Sequence, residues 1–243
     1  MTFLDQKQME IHPASIRSNS TLSTLKGPSF YPSRILTINA QGIGAIRLPL
    51  PSRQTEIVIY NQDNTETYVS TRDKLSSGDA TLSHPKRGSI IRTEYFFGPS
   101  RDPVMHLLHP SGISEVIVTG KWTSRTMRFS MPGGKQFDWK YAKEKRADGQ
   151  KVNLIVFHAV EEKNMKKVTE GRIAQLVRGE DSRTPGTSRS SAGNGGELQI
   201  DEAALQSLEL DEAVIVASCL MMLKKEIDRR RLIQFAIIGG AGS

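Results

Sequence analysis

Histidine and serine side chains are the first candidates for chemistry in this sequence. The five histidines, at positions 12, 84, 106, 109 and 158, form no constellation. His106 and His109 are three residues apart, which on a strand places them on opposite faces, and the single cysteine lies far from both, so no zinc-ligand spacing exists. The G-x-S-x-G context of a catalytic serine is absent around Ser29, Ser111 and Ser218. We therefore expect no metal, no cofactor and no enzymatic activity.

Basic side chains are the remaining candidates for ligand binding. Two groups lie near each other in the chain: Lys140, Lys143, Lys145 and Arg146, followed by Lys163, Lys166 and Lys167. Trp139 and Tyr141 interleave with the first group, and alternation along a strand places both rings toward the core. Such cations could attract the phosphates of lipid or nucleic acid, although a solvated basic surface is the simpler interpretation. These seven residues are our predicted anion-binding set.

Composition limits the class of protein. The chain has 243 residues, 37% of them hydrophobic, and a formal net charge of +7. Residues 122–185 carry most of the excess, with 14 lysines and arginines against 8 acidic residues. A single cysteine, Cys219, excludes an intrachain disulfide and favours a reducing compartment, and residues 1–10 lack the apolar core of a signal peptide. We expect one cytoplasmic or nuclear domain, peripherally attached to a membrane if it binds lipid.

From Arg34 onward, short runs rich in β-branched and aromatic residues alternate with turn residues about every ten positions, which is typical of a β-sandwich or barrel. The predicted strands are Ile35–Asn39, Gly44–Leu48, Thr55–Tyr60, Thr67–Thr71, Ser89–Phe97, Pro103–His109, Glu115–Lys121, Arg125–Met131, Gln136–Ala142, Val152–Ala159, Arg172–Arg178 and Glu197–Ile200. Apolarity is nearly continuous in Val152–Ala159, so we expect that strand to be buried on both faces.

One β-hairpin is explicit in the sequence. Pro132-Gly133-Gly134 supplies a turn that tolerates positive φ. Large apolar residues alternate on both sides of it: Met127, Phe129, Met131, Phe137, Trp139 and Tyr141. Both strands thus have one apolar face. We expect Asp138 and Lys140 on the opposite face, within reach of water or a partner.

Two segments are predicted to lack regular structure. Residues 1–33 are rich in Ser, Thr, Asn and Pro, so we expect a disordered arm. Residues 180–196 contain no hydrophobe larger than alanine and several glycines, which indicates a long flexible loop. That loop is either a solvated connection or a mobile binding or phosphorylation segment.

The strongest helix signal lies near the C-terminus. Residues 213–223 are small or apolar except for Ser218, with acidic residues before them and five cations after them, the order that a helix dipole favours. We predict a helix over about 209–232 and a tail over 233–243. Because its first half is apolar all round, yet shorter than the roughly 20 residues of a membrane span, it must be buried in protein. The predicted buried residues are Val214, Ile215, Val216, Cys219, Leu220, Met222 and Leu223.

Strands and helix fit together by size. A closed barrel of about twelve strands has an interior too wide for side chains alone, since about eight strands already make the smallest well-filled barrel. The apolar half of the helix, roughly 18 Å long, matches the length of a typical strand. We therefore predict a mainly β protein, a closed antiparallel barrel around a buried C-terminal helix. The cations after the apolar half are expected in water at the mouth: Lys224, Lys225, Arg229, Arg230 and Arg231.

This pattern resembles the Tubby C-terminal-like architecture of Tubby-like proteins, LURP-one-related proteins and phospholipid scramblases. The resemblance spans about residues 34–232 and is carried by the segments 211–223, 137–141 and 173–177. It is also similar to small proteins of filamentous fungi with such a domain. The phosphoinositide-binding motif of Tubby proteins and the Pro-rich arm of scramblases have no match, so no functional residue is transferred.

Two functions stay open at this point. The first is a non-enzymatic Tubby-like barrel that binds anionic phospholipid, with a phosphoinositide-containing membrane surface as its partner. The second is a soluble protein-interaction or regulatory module without lipid affinity. We expect a monomer without a transmembrane segment and do not expect nucleic acid as a partner.

Overall fold

The structure, a computed structural model, describes residues 30–44, 54–75, 77–96, 101–121, 124–145, 149, 151–163 and 166–240, and only the backbone of 161–163, 166–170 and 238–240. Most of the predicted arm, residues 1–33, lies outside the described residues, as does most of the predicted strand Gly44–Leu48. The strands are β1 (Arg34–Ile43), β2 (Glu56–Asn61), β3 (Glu66–Thr71), β4 (Ala80–His84), β5 (Gly88–Glu94), β6 (Val104–His109), β7 (Gly112–Thr119), β8 (Met127–Ser130), β9 (Gln136–Lys145), β10 (Lys151–Lys163), β11 (Lys166–Arg178) and β12 (Ala192–Ile200). Two helices follow, α1 (Glu202–Ser207) and α2 (Glu212–Gly240).

The twelve strands form one closed antiparallel barrel. Each strand pairs with its neighbours in the chain, and β1 pairs with β12 to close the sheet, for example Arg34 opposite Ile200. Odd-numbered strands all run toward one end of the barrel, which we call the exit mouth because α2 leaves there. The other end, which we call the capped end, carries α1. The predicted fold class is confirmed.

Alternating side chains fill the barrel from the wall inward. In the β8–β9 hairpin, Phe129, Phe137 and Trp139 are fully buried, and the turn between the strands is the predicted one. The outer face differs from the prediction at Asp138, which is almost fully buried. Arg128 covers it with two charge-assisted hydrogen bonds of 2.7 and 2.8 Å, so water does not reach this carboxylate.

Strand β10 is buried on both faces, as predicted. Ile155 and Phe157 point into the barrel, whereas Val152, Leu154 and Val156 form a small apolar cluster on the outside with Val177. An ion pair of 2.7 Å between Arg172 and Glu144 lies on that outer surface. Two-sided burial explains why this strand reads as a continuous apolar run.

Helix α2 fills the barrel interior. Asp211 accepts a hydrogen bond of 2.9 Å from the backbone N–H of Ala213, which is the N-terminal cap the helix needs. Glu212 in the first turn binds Arg34 and the hydroxyl of Tyr68 at 2.9 and 3.0 Å, which fixes this helix end to the capped end of the barrel. The helix continues to Gly240, so the predicted end at residue 232 is too early and most of the predicted tail is helical.

The predicted buried face of α2 is mostly correct. Six of the seven predicted residues are almost completely buried: Val214, Ile215, Val216, Cys219, Met222 and Leu223. Burial raises the pKa of the Cys219 thiol to about 12, which keeps it protonated and unreactive at neutral pH. Leu220 is the exception, because it is only half-buried and faces a cleft.

The glycine-rich segment differs most from its prediction. The predicted loop 180–196 ends at Ser191, and residues 192–196 form the buried first half of β12. Gly193 has a φ of +73°, and a Cβ there would lie 2.7 Å from the carbonyl oxygen of Leu223 and closer still to Ile227. Glycine is thus required because the backbone of α2 passes directly over this strand.

Candidate functional site

A cleft lies between α2 and the barrel wall formed by β1–β5, and Gly193 of β12 lines its edge. Its interior has a cavity volume of about 70 Å³, and the rest of the cleft is open to solvent. The barrel wall facing it carries small side chains, among them Ala40, Ser70 and Ala80. Helix α2 packs most closely on glycine-rich β12 and also approaches β5 and β1, whereas β2–β4 stay farther from it and leave this space open.

The inner part of the cleft is apolar. Ile57 and Leu82 contribute from the wall, and Leu220, Met221 and Leu223 contribute from the helix. The placement follows from two periodicities, because alternate residues of a strand face inward and residues three or four apart share one helix face. Of the sequence-predicted set, the described side chains of Lys140, Lys143 and Lys145 do not line the cleft.

Charged groups concentrate where the cleft opens at the exit mouth. Lys224 donates hydrogen bonds of 2.8 and 3.1 Å to the carboxylate of Asp228, and Arg231 approaches the same carboxylate at 3.6 Å. Arg72 enters from the end of β3 and donates to the carbonyl oxygens of Gln54, Leu75 and Ser77. Three cations therefore face one carboxylate.

Burial affects the electrostatics of these cations. It lowers the pKa of Arg72, and the charge of Arg231 lowers it further. Burial also lowers the pKa of Lys224, although the Asp228 carboxylate opposes that change. The Lys224 ammonium lies 5.1 Å from the ring centroid of Tyr95, a cation–π contact. The cleft opening is thus a partly desolvated site with surplus positive charge.

A second polar cluster lies on the other side of α2 and fastens the helix. Arg178 on β11 binds Glu226 through two hydrogen bonds of 2.7 and 2.9 Å, and both side chains are buried. The backbone N–H of Gly193 donates to the same carboxylate at 2.9 Å. Burial alone would raise the pKa of Glu226, but the guanidinium of Arg178 holds it below its ordinary value. The Arg178 guanidinium and the Glu226 carboxylate are thus engaged mainly with each other, while the buried Nε of Arg178 has no hydrogen-bond partner among the described residues.

The predicted position of the helix cations in water is partly wrong. Lys225 is buried and donates a hydrogen bond of 3.2 Å to the carbonyl oxygen of Thr126, and burial lowers its pKa to about 8. Arg229 donates to the hydroxyl of Tyr141 at 2.9 Å. These side chains fold back onto the barrel rim because the rim supplies acceptors that a free helix end would lack.

Large apolar side chains gather at the exit mouth. In the described part of the chain eight are exposed, and five of them belong to this end: Leu75, Phe96, Ile233, Phe235 and Ile237. The last three project from the final turns of α2, where they are 59%, 51% and 67% exposed. We call these three residues the helix tip.

The two ends of the barrel differ in charge. Among the described side chains, eight cations and five carboxylates are exposed at the exit mouth: Lys74, Arg101, Lys121, Arg125, Lys143, Lys145, Lys151 and Arg189, against Glu56, Asp73, Asp102, Glu180 and Asp181. At the capped end the order reverses, with three cations and five carboxylates: Lys86, Arg87 and Lys135, against Asp63, Glu66, Glu202, Glu209 and Asp211. The described exposed side chains are therefore unequally charged at the two ends of the barrel.

The predicted anion-binding set is divided by this architecture. Lys143 and Lys145 lie at the exit mouth, and Arg146, next in the chain, is outside the described residues. Lys140 is on the outer wall and pairs with Asp138 at 3.6 Å. The other three, Lys163, Lys166 and Lys167, flank the β10–β11 turn at the capped end, and only their backbone is described. Lys143 and Lys167 are opposite Asn153 and Glu162 on β10, about 30 Å apart along the strand. The seven do not form one site.

Reasoning from the sequence missed Arg72, Tyr95 and Asp228. Arg72 and Tyr95 each follow a different strand, and no spacing in the chain connects them. Part of the signal was present on α2, where Lys224 and Asp228 have the i, i+4 spacing of a helical ion pair.

Comparison with known proteins adds no assignment: no family model, no curated protein and no solved structure matches the chain. The resemblance to the Tubby C-terminal-like architecture thus stays a prediction. Within the described residues, no helix combines the length and the apolarity needed to cross a bilayer. In the same residues, no group of three or more His, Cys, Asp or Glu side chains is arranged to hold a metal ion.

Proposed function

We propose that this protein is a non-enzymatic barrel that binds an anionic phospholipid surface through its exit mouth, with phosphoinositide-containing membranes as the first candidate. The observation that carries the proposal is the helix tip, Ile233, Phe235 and Ile237, exposed on the end of the barrel that also has the excess of cations. Apolar side chains beside basic ones suit the boundary between acyl chains and anionic headgroups.

Geometry supports docking by this end in particular. Arg229 and Arg230 lie about one turn before Ile233 and about two turns before Ile237 on the same side of α2, by helical periodicity. Inserting the helix tip into the interface would therefore bring these cations to headgroup level. Leu75 and Phe96, from loops on the wall, add exposed apolar area at the same end of the barrel. The capped end, with its excess of carboxylates, would face away from the membrane.

Co-sedimentation with vesicles tests this function. Vesicles of phosphatidylcholine alone, with phosphatidylserine, and with a phosphoinositide are compared at low and high salt. We expect binding only to anionic vesicles, weakened at high salt because surface charges are screened within roughly 8–10 Å at physiological ionic strength. The triple variant Ile233→Ser, Phe235→Ser, Ile237→Ser should lose at least tenfold in affinity.

A matched control comes from the outer wall. Ile113 and Ile117 on β7 are 70% and 63% exposed, as exposed as the helix tip; Ile113, the second residue of β7, lies toward the capped end, whereas Ile117 lies nearer the exit mouth. The variant Ile113→Ser should bind vesicles like the parent. Equal binding to neutral vesicles, or no loss in the helix-tip variant, would contradict the proposal.

The same pair supports the second candidate function, a protein-interaction module without lipid affinity. Two isoleucines exposed on one face of β7, separated by Glu115, form a small apolar contact surface. Absence of binding to every vesicle composition would favour this function over the first.

A further inference from the structure

The cleft between α2 and β1–β5 is not needed for docking on a membrane, and its chemistry changes with depth. Its inner wall is apolar, formed by residues such as Leu82, Ala217 and Leu220. Its opening holds the three cations Arg72, Lys224 and Arg231. An apolar recess with a few convergent polar groups is the usual form of a small-molecule site.

We propose that this cleft binds one single-chain anionic amphiphile, with its acyl chain along α2 and its carboxylate or phosphate head among Arg72, Lys224 and Arg231. The proposal goes beyond membrane docking, because it concerns a single molecule held inside the barrel and requires no bilayer.

Dimensions favour a chain of medium length. Ala217 and Lys224 both line the cleft and are seven residues apart on α2, which corresponds to roughly 10 Å along the helix axis. The small side chains of Ser70 and Ala80 on the wall leave the space beside this part of the helix open.

Charge favours an anionic head. Among the described side chains, Asp228 is the one carboxylate that balances three cations at the opening, through contacts of 2.8 Å with Lys224 and 3.6 Å with Arg231. Burial and mutual repulsion lower the pKa of Arg72, which means that its cationic form is held at a cost in free energy. An added carboxylate or phosphate would offset that cost, whereas an added cation would increase it.

The test uses the full chain in buffer without vesicles. The fluorescent probe 11-(dansylamino)undecanoic acid is titrated below its micelle concentration, and bound probe is then displaced by undecanoic acid, dodecyl phosphate, 1-undecanol or undecylamine. We expect one site per chain and displacement by the acid or the phosphate at concentrations at least tenfold lower than the alcohol. Comparing acid with phosphate identifies the preferred head. Equal displacement by acid and alcohol, or no saturable binding, would overturn the proposal.

Two variants locate the site. Leu220→Trp places a larger side chain in the cleft and should weaken probe binding at least tenfold, because Leu220 is half-buried there. Lys224→Gln should weaken the acid several-fold and leave the alcohol unchanged, since Asp228 keeps Arg231 as a partner. The control Lys86→Gln removes an exposed cation at the capped end and should change neither. Unchanged binding in folded Leu220→Trp protein would contradict the cleft assignment.

Photolabelling keeps the test decisive if Leu220→Trp fails to fold. Undecanoic acid with a diazirine at its chain end is irradiated with the parent protein, and labelled peptides are mapped by mass spectrometry. Labels on α2 between residues 217 and 227, or on β2–β4, support the cleft. Labels confined to the helix tip or the outer wall would overturn it.

Discussion

The indole Nε1 of Trp139 donates a hydrogen bond of 2.8 Å to the Oγ of Ser218, and both groups are completely buried. Ser218 is the one polar residue in the apolar half of α2. Its hydroxyl in turn donates to the carbonyl oxygen of Ile215 at 3.1 Å, so every polar atom in this contact is satisfied. A single hydrogen bond thus fixes the rotation of α2 relative to β9.

Replacing Ser218 by Ala should destabilise the fold, because the Trp139 N–H would stay buried without an acceptor. We expect a loss of about 1–3 kcal/mol in the free energy of unfolding. Denaturant unfolding followed by tryptophan fluorescence measures it. Ser207→Ala on exposed α1 is the control and should change stability by less than about 0.5 kcal/mol. Equal effects of the two variants would contradict this role of Ser218.

The Arg178–Glu226 pair should be the most sensitive ion pair of those described. Glu226→Gln leaves the buried guanidinium of Arg178 without its counter-charge, and we expect a loss of about 3–5 kcal/mol. Glu209→Gln removes an exposed partner of Lys135 and should cost less than about 1 kcal/mol. Thermal unfolding of both variants at one pH compares them directly. A smaller loss for Glu226→Gln than for Glu209→Gln would show that the buried pair does not hold α2 in place.

Gly193 should not tolerate a side chain. Gly193→Ala places a Cβ against the carbonyl oxygen of Leu223 in a left-handed backbone conformation, so overpacking of about 1–3 kcal/mol and backbone strain add together. Gly133→Ala is the control, because no atom lies within 4 Å of a Cβ at that turn position. Urea titrations of the two variants measure the difference. Near-equal midpoints would mean that α2 can move away from β12.

Two apolar residues of α2, one in the core and one in the cleft, should respond differently to truncation. Met222→Ala opens a cavity in the packed core, and we expect a cost of about 2–5 kcal/mol. Leu220→Ala only enlarges an existing cleft, so it should cost less than half as much. The thermal midpoints of the two variants, measured by calorimetry, compare these costs. A larger loss of stability for Leu220→Ala than for Met222→Ala would mean that the cleft closes around Leu220 in solution.

Alkaline pH should unfold the protein through its tyrosines. Burial raises the pKa of Tyr68, Tyr95 and Tyr141 in the folded state, whereas an unfolded tyrosine ionises near pH 10. Above that pH the folded state binds more protons than the unfolded state, so stability is complete below about pH 10 and falls as pH rises. Lys225 has the opposite effect. Burial lowers its pKa to about 8 in the folded state, so its contribution to the free energy of unfolding increases as pH rises from about 8 to its ordinary value of 10.5.

Absorbance at 295 nm and circular dichroism, recorded together against pH, test this expectation. Tyrosinate absorbance of the buried tyrosines should appear only as the β-sheet signal is lost. Ionisation of all five tyrosines near pH 10 with an unchanged sheet signal would contradict it.

The sequence was sufficient to predict the barrel, the buried helix and the β8–β9 hairpin, because each has large apolar residues at a clear period. It was not sufficient where the barrel wall is lined by small side chains. Strand β4 was missed since Leu82 is its single large apolar residue, and the neighbouring Ala80 faces the cleft. The same small side chains that create the cleft therefore remove the strand signal.

The candidate site was less predictable than the fold. The sequence predicts a loop at Gly193, Gly195 and Gly196, yet these residues form part of a strand. They are glycines because backbone atoms of other elements pack closely against them, and the local sequence does not show those contacts. Arg72, Tyr95 and Lys224 meet at the exit mouth only through the register of a closed sheet. The spacing of these three residues along the chain does not indicate that they lie close together.

Closure of this barrel has a consequence for the order of events during synthesis on the ribosome. Arg34 on β1 pairs with Ile200 on β12, 166 residues later, and α2 follows β12 in the chain. A nascent polypeptide that has already made all twelve strands still lacks the side chains that occupy their interior. Local hairpins can form as they emerge from the ribosome. The β1–β12 pairing is slow because its partners are far apart in the chain, and the barrel interior stays unfilled until α2 has been made. Apolar strands are therefore exposed to aggregation and to chaperones for longer.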